Sequence, residues 1–175
     1  RVIIEAIRRK SGITFIKQRL GLFSKKLFNS PIWIHASSVG ETKAAISLYQ
    51  SLSKKFPKER FLITTNTSSS RSIIPINKNL EHRYLPLDWL FTTRRLIRLI
   101  NPQICILIET ELWPNLITIC KKNNISIIIA NARLSKRTTG SPTFIKRIYK
   151  KVLSDIDLIL CKSNRDKENY IQLGY

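Results

Sequence analysis

The chain has no methionine, five glycines, three cysteines, two histidines, and 11 acidic side chains against 31 lysines and arginines in 175 residues. Each scarcity excludes something. Cys105, Cys120 and Cys161 are odd in number and far apart, with no CxxC pair. That argues against a disulfide framework or a zinc site and for a reducing compartment. His35 and His82 stand alone and read as buried or surface residues, so no metal is expected. GxGxxG, GxxxxGK[ST] and HExxH are all absent, which leaves dinucleotide, P-loop and zinc-protease chemistry without their anchors. The longest apolar runs, ICILI and ISIIIA, are far too short to span a bilayer. No signal peptide is visible, and the lack of methionine leads us to expect that the natural start lies upstream.

What is abundant is positive charge. A formal net charge of +20 points to anionic partners: nucleic acid, phospholipid head groups or a phosphorylated substrate. The chain is also rich in Lys, Ile and Asn, as AT-rich coding would give, so part of the charge need have no target. An apolar fraction of 43% fits a globular protein, and the length suits one domain with a core or two very small ones.

Residues 1–30 interleave basic and apolar side chains. Ile3, Ile4 and Ile7 with Arg8, Arg9 and Lys10, then Phe15, Ile16 and Leu20 with Lys17 and Arg19, suggest amphipathic helices. These suit either an anionic membrane surface or packing on the domain. The stretch IWIHASSVGE (32–41) reads as a buried strand, a turn of small residues and the first turn of a helix. Ala44, Ala45, Leu48, Leu52 and Phe56 give that helix its apolar face. Ser37, Ser38 and Gly40 leave the backbone bare, and Gly40 offers the φ > 0 conformations a sharp turn can need. Glu41 falls at the helix start, where the dipole favours a carboxylate. It is either an ordinary helix beginning or a ligand-facing group.

Further along, RFLITT reads as the second strand, followed by the polar turn NTSSSRS. Thr64 and Thr65 before this turn and Arg71 within it suit a phosphate or carboxylate, or simply a solvated loop. HRYLPLD is a third strand stopped by Pro86, with Asp88 as N-cap of a helix over 89–100 that carries Arg94, Arg95 and Arg98. QICILI is a buried strand running into Glu109-Thr110-Glu111-Leu112-Trp113-Pro114-Asn115. In extended chain Glu109 and Glu111 would point the same way, and Pro114 suits the first turn of the next helix. SIIIA leads into Asn131-Ala132-Arg133-Leu134-Ser135. A helix around 144–153, the strand IDLILC and a final helix from Ser163 complete the chain.

Strand and helix alternate about six times, which predicts an α/β fold: a parallel, Rossmann-like sheet with helices on both faces. Four polar clusters, SSVGE, TTNTSSSR, ETELWPN and NARLS, each follow an apolar strand, so they converge on one sheet edge, where ligands bind in such folds. A carboxylate there can take a proton from a substrate hydroxyl. Glu41, Glu109 and Glu111 are the candidates, with Arg71 and Arg133 to neutralise anionic groups. Against a nucleic-acid module stands the separation of Trp33, Trp89 and Trp113, with no aromatic–basic strand face. That module, binding nucleic acid or an anionic membrane through charge alone, is the alternative reading.

Together IWIHASSVGE, FLITTNTSSSR, YLPLD, ETELWPN, IIIANARLS and CKSNRDKENYIQLGY, with QRLG at 18–21, resemble the amino-terminal half of the 3-deoxy-D-manno-octulosonic acid (Kdo) transferase family. The resemblance implies a membrane-associated glycosyltransferase of GT-B type on the cytoplasmic face of the bacterial inner membrane. It transfers Kdo from CMP-Kdo, a donor substrate rather than a cofactor, to a lipid A precursor in lipopolysaccharide synthesis. Residues 31–175 would be the Rossmann-like acceptor-binding domain and residues 1–30 a membrane-proximal segment. The CMP-Kdo-binding domain would lie beyond Tyr175, so this stretch alone is expected to be inactive, and no nucleic-acid partner is expected. The resemblance makes Glu41 the proton acceptor and gives Glu109 a part in stabilising the transition state. Ser38, Gly40, Thr65, Arg71, Glu111, Asn131 and Arg133 fall at candidate substrate-binding positions. The chain departs from the family where a Thr-Pro-Thr-Gly-like turn is replaced by Thr67-Ser68-Ser69-Ser70.

Overall fold

Alternate side chains of a strand leave it on opposite sides, so the near-continuous apolar runs of this chain need cover on both. The computed structural model describes residues 12–23, 29, 32–109, 112–134, 138 and 140–175, and it shows that cover. The strands are β1 (Ile32–Ala36), β2 (Phe61–Thr65), β3 (Leu80–Tyr84), β4 (Ile104–Ile108), β5 (Ser126–Ala132) and β6 (Leu158–Cys161). They form one sheet, parallel at every pairing, in the order β3-β2-β1-β4-β5-β6. This is the doubly wound α/β order, in which the chain reverses its direction of travel between β1 and β4.

The described helices are α1 (Gly12–Arg19), α2 (Val39–Lys55), α3 (Ser68–Arg71), α4 (Leu90–Ile100), α5 (Pro114–Lys122), α6 (Thr143–Leu153) and α7 (Asn164–Gln172). One face of the sheet, carrying Trp33, Leu62, Cys105, Leu107, Ile127 and Ile129, packs on α4 to α7 through Leu96, Ile100, Leu116, Ile117, Leu153 and Tyr170. The other, carrying Ile34, Phe61, Ile63, Ile106 and Ile108, packs on α2 through Ala45 and Tyr49. Burying side chains of this size contributes about 1.5–3 kcal/mol each relative to exposure, so each face is a core in its own right. Cover thins over the outer strand: Leu158 and Leu160 of β6, on the α2 side, remain 44% and 51% exposed.

Ends of elements differ from the sequence reading in two places. Asp88 does not cap the helix that follows it; Trp89 holds that position with no side-chain bond. Instead the Asp88 carboxylate accepts from the backbone N–H groups of Asn115 (3.0 Å) and Leu116 (2.8 Å), capping α5, where Pro114 opens the first turn. The turn NTSSSRS is not open loop but the single-turn helix α3, with Thr67 Oγ1 accepting from Ser70 N. At the far end of α4, Asn101 takes the left-handed conformation (φ 43°) that closes many helices, with Pro102 just beyond.

Within the basic segment, residues 1–11, 24–28 and 30 fall outside the described residues, including Ile3, Ile4, Ile7 and the Arg8–Lys10 run. Helix α1 is packed against the domain. Phe15 is buried, its ring edge-on to Tyr84 at 4.8 Å, and Gln18 Oε1 accepts from the Tyr84 N–H at 2.8 Å. Gly21 follows with φ 76°, and a Cβ there would sit 3.0 Å from the Thr92 side chain. A glycine is needed for both the dihedral and the approach of α1 to the start of α4. Among the described residues no helix is long and apolar enough to cross a membrane.

Candidate active site

The crevice outside the carboxyl ends of β1 and β4 is where this topology binds ligands, and three of the four polar clusters frame it. The β1–β4 register ends at His35 opposite Leu107, two residues short of Ser37 and Glu109. After β1 the chain turns at Ser37 and enters α2 with Ser38 as N-cap. Ser38 Oγ accepts from Glu41 N at 3.2 Å, and Thr42 Oγ1 donates to Ser38 O at 2.7 Å. The Glu41 carboxylate reaches back so that Oε2 accepts from Ser37 N–H at 2.8 Å. Glu41 is largely buried, and its Oε1 has no hydrogen-bond partner among the described residues. Gly40 does not use a positive φ: it lies inside the first turn of α2. What its missing side chain provides is space, since an added Cβ would meet nothing nearer than Ser38 Oγ at 3.9 Å.

Beneath this turn lies a polar network that sequence reasoning missed. His35 is fully buried; its Nδ1 lies 3.1 Å from Thr64 O and 2.9 Å from Thr64 Oγ1, and its Nε2 lies 3.2 Å from Ser37 Oγ. Burial pushes its pKa down to about 3, against the bond to the Thr64 carbonyl and with a small further push from Arg19. The ring is therefore neutral. A carbonyl oxygen only accepts, so Nδ1 carries the proton and Nε2 accepts from the Ser37 hydroxyl. Asn66 Nδ2 donates to Ser37 Oγ at 2.7 Å, and Asn66 Oδ1 accepts from Arg19 Nη1 at 2.7 Å. Trp33 Nε1 donates to Thr64 Oγ1 at 2.8 Å. In the sequence it shows only as the isolated His35 inside an apolar strand and the polar run TTNTSSSR that supplies Thr64 and Asn66.

On the β4–β5 side, Glu109, Asn131 and Arg133 come together. Glu109 Oε1 lies 3.2 Å from Arg133 Nη2 and accepts from Asn131 Nδ2 at 3.4 Å. Glu109 and Asn131 have φ of 64° and 56°. Non-glycine residues held there cluster at ligand sites, with a cost of order 1–3 kcal/mol each. Asn131 occupies the irregularity in β5 where the pairing with β6 shifts between Ala130 and Ala132, so a bulge aims it. The extended-chain premise for Glu109 and Glu111 fails at Glu109, whose φ is left-handed, and Glu111 lies outside the described residues. The segment around Arg133 is held from behind by α7. Asp166 Oδ1 accepts from Leu134 N at 2.9 Å, and Asn169 Nδ2 donates to Leu134 O at 2.6 Å. Trp113, at the start of α5, sets its ring edge-on to His35 at 6.2 Å.

Thr65 and Arg71 sit on the β2–β3 side. Thr65 Oγ1 is 2.9 Å from His82 Nε2, and Arg71 Nη1 donates to Ile74 O at 3.4 Å. His82 is driven down to about pKa 3 by burial, with Arg71 and Arg83 adding to the shift. This pair belongs to the flank of the crevice, away from Glu109. Among the described residues no three His, Cys, Asp or Glu side chains gather as metal ligands.

Comparison with known proteins identifies the family of this fold. The profile of the family described as 3-deoxy-D-manno-octulosonic-acid transferase (kdotransferase) matches residues 14–175. The chain is similar to the 3-deoxy-D-manno-octulosonic acid transferase of Haemophilus influenzae, 38% identical over 91% of this chain and 38% of that protein. It is also similar to the protein of that name from Rickettsia bellii, 32% identical over 99% of this chain and 42% of the relative. A bifunctional glycosyltransferase/methyltransferase of Fusobacterium nucleatum is 34% identical over 92% of the chain and 26% of its own length. The chain thus spans about two fifths of the length of the Kdo transferases it matches. With a match over nearly every residue, and a Rossmann-like sheet whose polar edge carries Glu41, Glu109, Asn131 and Arg133, the chain belongs to the Kdo transferase family.

Proposed function

We propose that this chain is the acceptor-binding part of an inverting transferase that moves Kdo from CMP-Kdo to a hydroxyl of a lipid A precursor, with Glu41 as the base. The observation that carries the reading is the Glu41 carboxylate beside the carboxyl end of β1, with one oxygen tied to Ser37 N–H and the other without a hydrogen-bond partner among the described residues. The acceptor hydroxyl gives its proton to Oε1 as its oxygen bonds to the anomeric carbon of Kdo. The bond from that carbon to the phosphate oxygen breaks, and CMP leaves with the electron pair. No redox partner enters the balance. Positive charge develops at the anomeric carbon, and Glu109, anchored through Oε1 by Arg133 and Asn131, is suited to stabilise it. Ser38, Gly40, Thr65, Arg71, Asn131 and Arg133 are the proposed contacts to the acceptor. The reading assigns CMP-Kdo to a part of the protein beyond these residues, which span about two fifths of the length of the Kdo transferases they match, and these residues alone are expected not to transfer.

The proposed setting is the cytoplasmic face of the inner membrane, and an exposed patch at the start of α4 supports it. Trp89 and Phe91, 48% and 64% exposed and 5.7 Å apart, adjoin Leu90. Arg94, Arg95 and Arg98 follow, lining with Phe91 an open groove of about 620 Å³. Aromatic rings beside arginines suit the interface of an anionic bilayer, and the start of α4 lies at the same sheet edge as Glu41. The test is transfer of Kdo to tetra-acylated lipid A precursor by the full-length polypeptide and its Glu41→Ala variant. A folded variant is expected to lose at least about a hundredfold in kcat, the usual scale of a general base. Equal rates would make Glu41 a helix start only.

A further inference from the structure

The buried network beneath Glu41 has a direction, and that direction begins at a residue far from the crevice in sequence. A guanidinium only donates. Arg19 Nη1 therefore fixes the Asn66 amide with Oδ1 toward it (2.7 Å), which leaves Nδ2 to donate to Ser37 Oγ (2.7 Å). Having accepted there, the Ser37 hydroxyl sends its own proton to His35 Nε2 (3.2 Å), and His35 Nδ1–H ends the chain at Thr64 O (3.1 Å). Each link from Arg19 to His35 thus has a defined donor and acceptor. Two bonds on Oγ hold the Ser37 side chain, and with it the backbone N–H that binds Glu41 Oε2 at 2.8 Å.

Arg19 is itself fixed. It is buried, its Nη1 also donates to Leu85 O, and its own carbonyl accepts from Leu87 N at 2.8 Å. Keeping a cation inside the domain is costly unless it is hydrogen-bonded, and a docking helix alone does not need one. Resting on the reading of Glu41 as the base, we propose that Arg19, acting through Asn66 and Ser37, is a positioning residue that holds the Glu41 carboxylate with its free oxygen toward the acceptor hydroxyl. Helix α1 is then a working part of the site.

The test is a set of double-mutant cycles in the full-length polypeptide, following Kdo transfer from CMP-Kdo. Asn66→Ala and Arg19→Gln are each expected to lower kcat about tenfold or more, with KM for CMP-Kdo unchanged. Arg19→Lys, which keeps one donor, should recover part of the loss, and Leu20→Ala, on the exposed side, should cost nothing. In a Glu41→Gln background the Asn66 and Arg19 changes should add less than twofold, because what they position is gone. The same factor lost in both backgrounds would make the network structural and overturn the proposal. Native kcat in Asn66→Ala and Arg19→Gln, with Glu41→Gln still impaired, would overturn it while leaving the base assignment standing. Unimpaired Glu41→Gln would overturn both. A second measurement is independent of turnover: amide hydrogen exchange at Ser37 should rise at least tenfold in Asn66→Ala while exchange at Ile34 stays unchanged. Unaltered protection at Ser37 would also overturn the proposal.

Discussion

At the scale of single residues, Glu109 and Asn131 occupy left-handed backbone where no helix end calls for it, unlike Asn101, the cap of α4. For Glu109 the conformation costs about 1–2 kcal/mol relative to glycine, so Glu109→Gly should be more stable than Glu109→Ala by about 1 kcal/mol in urea unfolding. Both lose the half-exposed pair to Arg133, worth at most about 1 kcal/mol, and under the proposed function both should transfer Kdo poorly in the full-length polypeptide. Equal stability of the two variants would show that the conformation is not costly. The alternation of polar loops and apolar strands made Glu41, Glu109, Asn131 and Arg133 visible as candidates. Their aim was not visible, because a φ of 64° is imposed by neighbouring strands and by the bulge in β5 rather than by local sequence. His35 was legible only as a buried or surface residue and Arg19 only as part of an amphipathic helix, for a related reason: the role of a buried polar residue shows only once its partners are known.

At the scale of elements, six strands and every helix between them except α3 were legible, because apolar runs of strand length bounded by Pro, Asn and polar turns leave little choice. Asp88 marks where that legibility stopped. A short-range rule assigns it to the helix that follows, whereas it caps a helix 27 residues further along, reached only because the starts of α4 and α5 meet at the sheet edge. Burial holds the Asp88 carboxyl above its ordinary pKa, while the bonds from Asn115 and Leu116 pull it back. Asp88→Ala should cost about 1–2 kcal/mol, and Asp88→Asn, which keeps one acceptor, less. Thermal denaturation of the three proteins checks the order. A loss confined to the first turn of α4 would return Asp88 to the simpler role. Gly21 was likewise legible only as part of a motif; its reason is the Thr92 side chain 3.0 Å from where a Cβ would stand.

At the scale of the whole molecule, a charge of +20 and the Trp89–Phe91 patch would make separable contributions to the proposed membrane attachment. Binding to vesicles of anionic lipid should weaken steeply with salt, since each Arg near the head groups contributes about 1 kcal/mol and is screened within a Debye length. What binding remains at high salt should fall in a Trp89→Ala, Phe91→Ala double variant, as followed by vesicle sedimentation. Salt-independent binding, or a double variant that binds like the native protein, would remove the patch from the account. The same charge bears on the thinly covered margin at β6. Its outer edge pairs with no other described strand, and Leu158 and Leu160 face outward beside it. Such an edge is a template for another chain, and mutual repulsion between molecules of like charge is what keeps copies apart. Electrolyte therefore acts on this protein in two opposed senses. The ionic strength that would free it from a bilayer would also weaken that repulsion and open β6 of one copy to β6 of another.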